Sequence, residues 1–424
     1  MNRKKQGIGI LIVAMSLATA WAIRGQFGHE QGAAWAGAIG GLALVLVSKR
    51  KDWYNKMALV ALASAIGWGA GGMISYGMVV GYGRADNFIN AFYGLSMLFV
   101  IGALFGLLGG GLVGLVLDST EKNKVKWGAL MAEMTAGGLL VYFFLIEQIG
   151  FKMTPPRSEA WAIILGAGLA MLLHMARAKR NSAIRVAVFS ALGAGFGFAF
   201  GNFLQIMGNI IEIPFNMWNV MEYSIGFFGG SGLAYGVFSS HWPVDEAKPK
   251  QWVNRLALFF VIVFIPLIIY RETLNYSYFL KRLGEMPNVE SVAFTSTLFV
   301  AIVLVLMAIG LFWKLKDVNY KKKDITLFLF VYLITYTLIS YVVTGLFAGN
   351  MEFSHHLYVV NSIVLFILAS YEKYEVFGKV SEKINTKKWF LCFLAILVYI
   401  ALLSLISVNA HDELSGGHNR FSIG

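Results

Sequence analysis

Three glutamates are the side chains best placed to do chemistry, because each stands where an apolar stretch of the sequence meets a polar one: Glu30, Glu147 and Glu222. Desolvation raises the pKa of a carboxyl group in a partly dry pocket, while a nearby cation keeps a second one ionised. Such a pair can cleave a glycosidic bond. The two carboxyl groups lie about 5 to 5.5 Å apart in enzymes that retain the anomeric configuration and about 6.5 to 9.5 Å apart in enzymes that invert it. We therefore predict that Glu30 is catalytic with Glu147 or Glu222, in a hydrolase or lyase acting on a glycan or glycolipid.

Polar side chains near these glutamates predict a carbohydrate-binding pocket. Amides and carboxylates form hydrogen bonds with the hydroxyl groups of a sugar, while aromatic rings pack on its apolar faces. The predicted substrate-binding residues are Arg24, His29, Gln148, Asn202, Gln205, Trp218, Tyr223, Arg271 and Glu272. Four side chains fall within or just at apolar helices, so we expect them to turn inward: Glu147, Gln148, Asn202 and Gln205. For the Trp and Tyr residues, an interfacial aromatic belt is the alternative reading.

Other kinds of chemistry have less support in the sequence. Two histidine pairs could bind a metal, but neither has an established ligand spacing: His355 with His356, and His411 with His418. We therefore predict no metal and no cofactor. The sequence holds no Gly-x-Ser-x-Gly stretch, and its one cysteine, Cys392, falls in an apolar segment.

The composition identifies the elements that must position these residues. Of 424 residues, 58% are hydrophobic and 14% are charged, with a mean hydropathy of +0.66, which is typical of a polytopic membrane protein. A helix needs about 20 apolar residues to cross a hydrocarbon layer of about 30 Å. Apolar runs predict an all-α fold with thirteen transmembrane helices, near residues 7–24, 32–48, 57–82, 92–117, 127–148, 159–175, 185–207, 222–238, 255–271, 292–313, 325–347, 355–371 and 389–408.

The basic residues predict the orientation of these helices. If the N-terminus lies inside, 27 of the 35 Lys and Arg residues fall in inner segments and 8 in outer ones. Positive residues favour the cytoplasmic side. We therefore predict an integral plasma (inner) membrane protein with a cytoplasmic N-terminus, an external C-terminus and an outward-facing site. The net charge of +12 follows from this topology, so no nucleic-acid partner is expected.

Two separated matches at one offset predict an internal duplication. Residues 34–36 read Ala-Trp-Ala, as do residues 160–162, which lie 126 positions later. The same offset aligns a serine, an alanine and three glycines of 64–71 with those of 190–197. Of the 46 glycines, 38 precede residue 241, which favours tight helix packing there. The predicted units are two parallel four-helix repeats, 1–121 and 122–240, and a five-helix C-terminal bundle with a short outer tail, 241–424.

Three functions remain open from the sequence. A membrane enzyme is favoured by the absence of Asp, Glu, Lys and Arg near the centre of any predicted span, because ion-coupled carriers often place a charge there. A secondary transporter for a sugar or organic anion is the alternative, favoured by its size and by the parallel repeat. A scaffold subunit has only the glycine-rich packing in its favour. The predicted partners are membrane lipids and a small carbohydrate or glycolipid substrate, with a homodimer as a further option.

Overall fold

The computed structural model describes residues 3–155, 157–284, 286–371 and 375–422, and nothing is described of the side chains of residues 3–6. Over those ranges the regular elements are helices. The helices up to residue 240 are α1 (Arg3–Arg24), α2 (Glu30–Ser48), α3 (Lys51–Tyr54), α4 (Met57–Gly71), α5 (Gly77–Gly83), α6 (Phe88–Asp118), α7 (Trp127–Tyr142), α8 (Ser158–Arg177), α9 (Asn181–Ile210) and α10 (Met217–Phe238). The later helices are α11 (Gln251–Phe259), α12 (Ile265–Thr273), α13 (Tyr276–Arg282), α14 (Val289–Leu315), α15 (Lys322–Val343), α16 (Phe353–Ser370) and α17 (Thr386–Ala410). The end of the molecule where α1 ends and α2 begins is called the outer end below.

Apolar length is the feature that these helices share. Among the described residues, 11 helical segments are long and apolar enough to cross a membrane, and α4 is a shorter apolar helix of 15 residues. This supports a polytopic helical membrane protein. The number of crossings and the orientation stay predictions, and the side chains of Arg3, Lys4 and Lys5, which anchor the predicted inner N-terminus, lie outside the described part.

The third predicted span, 57–82, is wrong as a continuous helix. The chain leaves α4 after Gly71 and starts α5 only at Gly77. At this break the backbone runs against the first hairpin, because a Cβ on Gly72 would lie 2.6 Å from the His29 carbonyl oxygen. Glycine at this position permits the close backbone contact, and an apolar pattern does not reveal the break. The break places Tyr76 at the outer end of the core.

Glycine also brings the central helices together. A Cβ on Gly106 of α6 would lie 2.1 Å from the Ser190 carbonyl oxygen of α9. A Cβ on Gly195 of α9 would lie 2.7 Å from the Phe99 carbonyl oxygen of α6. The two helices therefore touch backbone to backbone because these positions carry no side chain.

Two glycines that the predicted repeat aligns, Gly67 and Gly193, each face a glycine of a neighbouring helix. Gly67 of α4 faces Gly109 of α6, and Gly193 of α9 faces Gly232 of α10, which lies 123 rather than 126 positions after Gly109. The rest of the packing differs, since α2 lies against α4, whereas its counterpart α8 packs mainly on α7. Of the later helices, α15 and α16 pack on α2 and α1, while α17 packs on α6 and α9. The duplication and the unit boundaries therefore stay predictions.

The C-terminal tail lies across the outer end and is held by one buried amide. The Asn90 side-chain oxygen accepts from the backbone N–H groups of Arg420, at 2.7 Å, and of Phe421, at 2.8 Å. The Asn90 amide nitrogen donates to the Phe421 carbonyl oxygen at 3.0 Å. Two residues before Arg420, the backbone N–H of His418 donates to the Gly81 carbonyl oxygen at 3.1 Å. Residues 411–422 thus form a strap over α5 and the start of α6.

Candidate functional site

An arginine, a tyrosine and a glutamate meet in the interior at the outer end of the core. Arg24 is the last residue of α1, Tyr76 precedes α5, and Glu222 lies in the second turn of α10. Arg24 Nη2 donates to Glu222 Oε2 at 2.8 Å and to Oε1 at 3.2 Å, and it also donates to the Tyr76 hydroxyl. The Tyr76 hydroxyl donates to Glu222 Oε1 at 2.9 Å. We call these three residues the ion cluster.

Burial makes the ion cluster a strongly coupled unit. Arg24 is 1% exposed, and Tyr76 and Glu222 are 2% exposed each. The guanidinium carbon of Arg24 also lies 4.6 Å from the ring centre of Trp21, which adds a cation–π contact. Both oxygens of Glu222 are hydrogen-bonded and the side chain is buried, which disfavours a direct role in attacking a substrate or taking its proton. Glu222 is thus inside a helix and engaged, rather than at the edge of an outer loop.

His29 connects the ion cluster to the surface. His29 is exposed, and its ring lies 5.6 Å from the Tyr76 ring in an edge contact. Loss of hydration, followed by the positive charge of Arg24, lowers the pKa of His29 below its usual value of 6.5. The imidazole is therefore neutral at pH 7, when it can both donate and accept a hydrogen bond.

Glu30 lies beside His29 at the mouth of a cavity that we call the outer groove. Its Oε1 accepts from Arg157 Nη1 at 2.8 Å, and both side chains of this pair are about 40% exposed. The outer groove has a volume of about 560 Å³. Its walls are apolar apart from Glu30 and Gln31, and they come from α2, α4 and the α11–α12 region. Glu30 is therefore the predicted catalytic glutamate that lines this groove.

The α11–α12 wall of the outer groove is irregular. A π-helical turn, Phe260–Phe264, separates α11 from α12, and Pro266 lies two residues after its end. Phe260 and Phe264 both line the groove. A π turn and a proline each weaken the hydrogen-bond ladder of a helix, and π turns are frequent at functional sites.

A second cavity, the inner pocket, lies at the opposite end of α4. It has a volume of about 370 Å³ and is bounded by the start of α4, the end of α6 and the segment before α11. Four lysines and two acidic residues line it: Lys56, Lys124, Lys248, Lys250, Glu121 and Asp245. Lys56 is buried, and its Nζ donates to the Ser119 carbonyl oxygen at 2.7 Å. Burial lowers the pKa of Lys56.

Two expected inward side chains turn outward instead. Glu147 and Gln148 are exposed, on a π-helical turn, Phe143–Gln148, and Glu147 accepts a hydrogen bond from Tyr142. The prediction for them was wrong because it rested only on their place within or just at an apolar helix, whereas this helix packs mainly on α8 and most of its side chains are exposed. Asn202 and Gln205, by contrast, are buried and bonded to each other at 3.1 Å, as expected.

The other predicted binding residues are dispersed over the outer end. Trp218 is exposed, in the first turn of α10. Tyr223 is half-buried in the next turn, beside Glu222. Arg271 and Glu272 face each other at 3.7 Å on the surface at the end of α12. The structure therefore brings together Arg24, His29, Glu30 and Glu222 and leaves the Arg271–Glu272 pair at the surface.

Sequence reasoning missed Tyr76 and Arg157. Tyr76 gave no signal, because it stood within a predicted apolar span. Arg157 did give one, since the duplication aligns its loop with the first outer hairpin, where Glu30 lies. Compared with protein-family models, curated proteins and solved structures, the chain matches none.

Proposed function

We propose that the protein is a carrier that moves an amphiphilic organic anion along α4, between the outer groove and the inner pocket. The observation that carries this proposal is the position of both cavities on one face of α4. Leu59 lines the inner pocket, whereas Leu62 and Ile66 line the outer groove. Side chains three, four and seven residues apart share a helix face. Only about 4.5 Å of helical rise separates Leu59 from Leu62, so the two cavities lie nearly end to end.

The walls of the two cavities favour an amphiphile as the cargo. The outer groove is apolar along its length and polar at its mouth, where Glu30 and Gln31 lie. Such a surface suits a hydrocarbon body with a polar head. The inner pocket adds apolar side chains, including Leu59 and Val253, to its four lysines. Basic pockets of this kind bind anionic head groups at a membrane surface. These features together support an organic anion with an apolar part.

The π turn supplies a place where the path can open. Transport along α4 requires α4 and the α11–α12 helix to separate where Leu59 meets Leu62. Phe260, at the start of the π turn Phe260–Phe264, lines the outer groove together with Leu62, so we place the opening at this turn. The ion cluster, in contrast, ties α1 to α10 on the other side of the hairpin. We infer that the α11–α12 wall moves against a fixed core.

Hydrolysis of a glycolipid is the second candidate function. It is favoured by the position of Glu30 beside the neutral imidazole of His29 at the groove mouth. A reaction with two carboxylates has less support, because Glu222 is engaged by Arg24 and Tyr76. Acid–base work would then fall to Glu30 and His29.

Lipid transfer in reconstituted liposomes tests the carrier proposal. The probes are acyl-labelled fluorescent phosphatidic acid and phosphatidylcholine, and the measured quantity is the rate at which each becomes accessible to an impermeant quencher. We expect phosphatidic acid to cross at least tenfold faster than in protein-free liposomes. Ile66→Trp, which fills the groove, should remove most of this rate. Ile302→Trp on α14 is the matched control, because Ile302 is 50% exposed and Ile66 is 51% exposed. Rates equal to those of empty liposomes, or equal losses in both variants, would refute the proposal.

Glu30→Gln separates the two candidate functions. In detergent there are no compartments, so a carrier releases no product from a labelled glycolipid, whereas a hydrolase does. Release that drops by about two powers of ten in Glu30→Gln would establish hydrolysis and displace the carrier proposal. Release that is equal in the variant and the wild type would exclude Glu30 as the acid or base.

A further inference from the structure

We propose that a third cavity, between α1, α10 and α16, is a binding site for a neutral, hydroxyl-rich ligand such as a sugar or polyol. The cavity has a volume of about 280 Å³ and shares no lining residue with the outer groove. This volume equals that of about nine water molecules at about 30 Å³ each, which suits a single sugar ring. We call this cavity the polar pocket.

Amides and hydroxyls are the polar groups that line the polar pocket. They come from Asn219, Tyr223 and Ser224 of α10 and from Ser354, Tyr358 and Asn361 of α16. No charged side chain of the described residues lines it. Amides and hydroxyls offer both donors and acceptors, as sugar hydroxyls require, and the rings of Tyr223 and Tyr358 can cover the apolar face of a sugar. A lining without charge excludes a phosphate or carboxylate as the preferred ligand.

Part of this hydrogen-bonding capacity is already used to shape the pocket. The Tyr358 hydroxyl donates to the side-chain oxygen of Asn219 at 2.9 Å, which ties α16 to α10. Ser224 donates to the Val220 carbonyl oxygen at 2.8 Å. The amide nitrogen of Asn219 is left without an acceptor among the described residues, so it remains able to donate to a ligand.

Asn361 carries the argument for a ligand. It lies eight residues into α16, about 12 Å from the start of that helix, and its side chain makes no hydrogen bond to the part of the chain that the structure describes. On α16 its neighbours in sequence include Val359, Val360 and Ile363. An amide without a partner in hydrocarbon costs a few kcal/mol, so polar groups at membrane depth are usually paired or functional. A hydroxylated ligand in the polar pocket would supply the partner.

Sugar hydroxyls could come from a free monosaccharide or from the head group of a glycolipid, and the experiment separates these two sources. The purified protein is placed in phosphatidylcholine nanodiscs, and binding of radiolabelled glucose and N-acetylglucosamine is measured by equilibrium dialysis. In a parallel arm, nanodiscs contain labelled monoglucosyl diacylglycerol, and its retention by the protein is measured after exchange with unlabelled lipid. We expect saturable binding in one arm.

Variants locate the binding in the polar pocket. Asn361→Leu and Tyr358→Phe should each weaken it at least fivefold, because each removes hydrogen-bonding capacity from the lining. Asn409→Leu is the matched control, because Asn409 lies in the exposed last turn of α17 and bonds only to its own helix. Ala70→Leu, which fills the outer groove, should leave the binding unchanged.

Three results would overturn the proposal. They are an absence of binding in both arms, binding that Asn361→Leu and Tyr358→Phe leave unchanged, and binding that Ala70→Leu removes. The carrier proposal does not depend on any of them, since lipid transfer is measured with probes that carry no sugar.

Discussion

Breaking the ion cluster one residue at a time should cost far more stability than removing its charged pair together. Glu222→Leu leaves the Arg24 guanidinium buried without a carboxylate, and Arg24→Leu leaves the carboxylate with Tyr76 alone. Removal of one partner of a buried ion pair costs about 3–5 kcal/mol, while apolar replacement of both partners is often close to neutral. If each single variant loses about 4 kcal/mol and the double variant loses no more than that, the coupling energy is about 4 kcal/mol. That is almost three powers of ten in the unfolding equilibrium.

The assay is equilibrium unfolding in mixed detergent and SDS micelles for all four members of the double-mutant cycle. The control cycle uses Arg255 and Asp317, which form an ion pair at 3.3 Å with side chains 49% and 68% exposed. Exposed pairs couple by at most about 1 kcal/mol. A coupling energy for Arg24 and Glu222 that is no larger than the control value would refute the reasoning, because it would mean that water screens the two charges.

Three further predictions concern the hairpin, the tail and the core. The native pKa of His29 lies below its unfolded value, so the unfolded state binds the extra proton first and stability falls as pH drops through and below about 6.5. In melting curves recorded between pH 5 and 8, His29→Gln should weaken the dependence of the melting temperature on pH, and an unchanged pH dependence would contradict the assignment. Asn90→Ala removes three hydrogen bonds to the tail, so limited proteolysis should cleave residues 411–422 faster than in the wild type, without loss of the core. Gly195→Val places side-chain atoms against the α6 backbone and should abolish folding, measured as monodisperse protein after extraction, whereas Gly310→Val, which meets nothing within 4 Å, should be extracted normally.

Composition and apolar runs were sufficient to predict the helical membrane character of the chain. A helix satisfies its own backbone hydrogen bonds, so its presence depends on local sequence and the pattern reveals it. Helix irregularities escaped the same pattern. The break after Gly71 and the π turn Phe260–Phe264 depend on which backbone packs against them. An apolar run has the same pattern in the sequence whether or not its helix is broken.

The candidate site was predictable only in part. Arg24, His29 and Glu30 lie close together in the sequence, so one outer hairpin brought them together whatever the packing. Glu222 is 198 residues from Arg24 in the chain, and its pairing with Arg24 depends on the contact between α1 and α10. Glu222 stands at the start of a predicted span, and that position did not show whether its side chain would be solvated or buried.

The sequence by itself determined that this is a helical, glycine-packed membrane protein with polar groups gathered at its helix ends, because hydropathy and charge act locally along the chain. The tertiary structure decided which of those groups meet. It buried Glu222 in an ion cluster and turned Glu147 outward, it left Glu30 at the mouth of an apolar groove, and it set the outer groove and the inner pocket on one face of α4. Such pairings depend on how helices pack, since residues far apart in the chain become neighbours only when backbones approach at particular glycines.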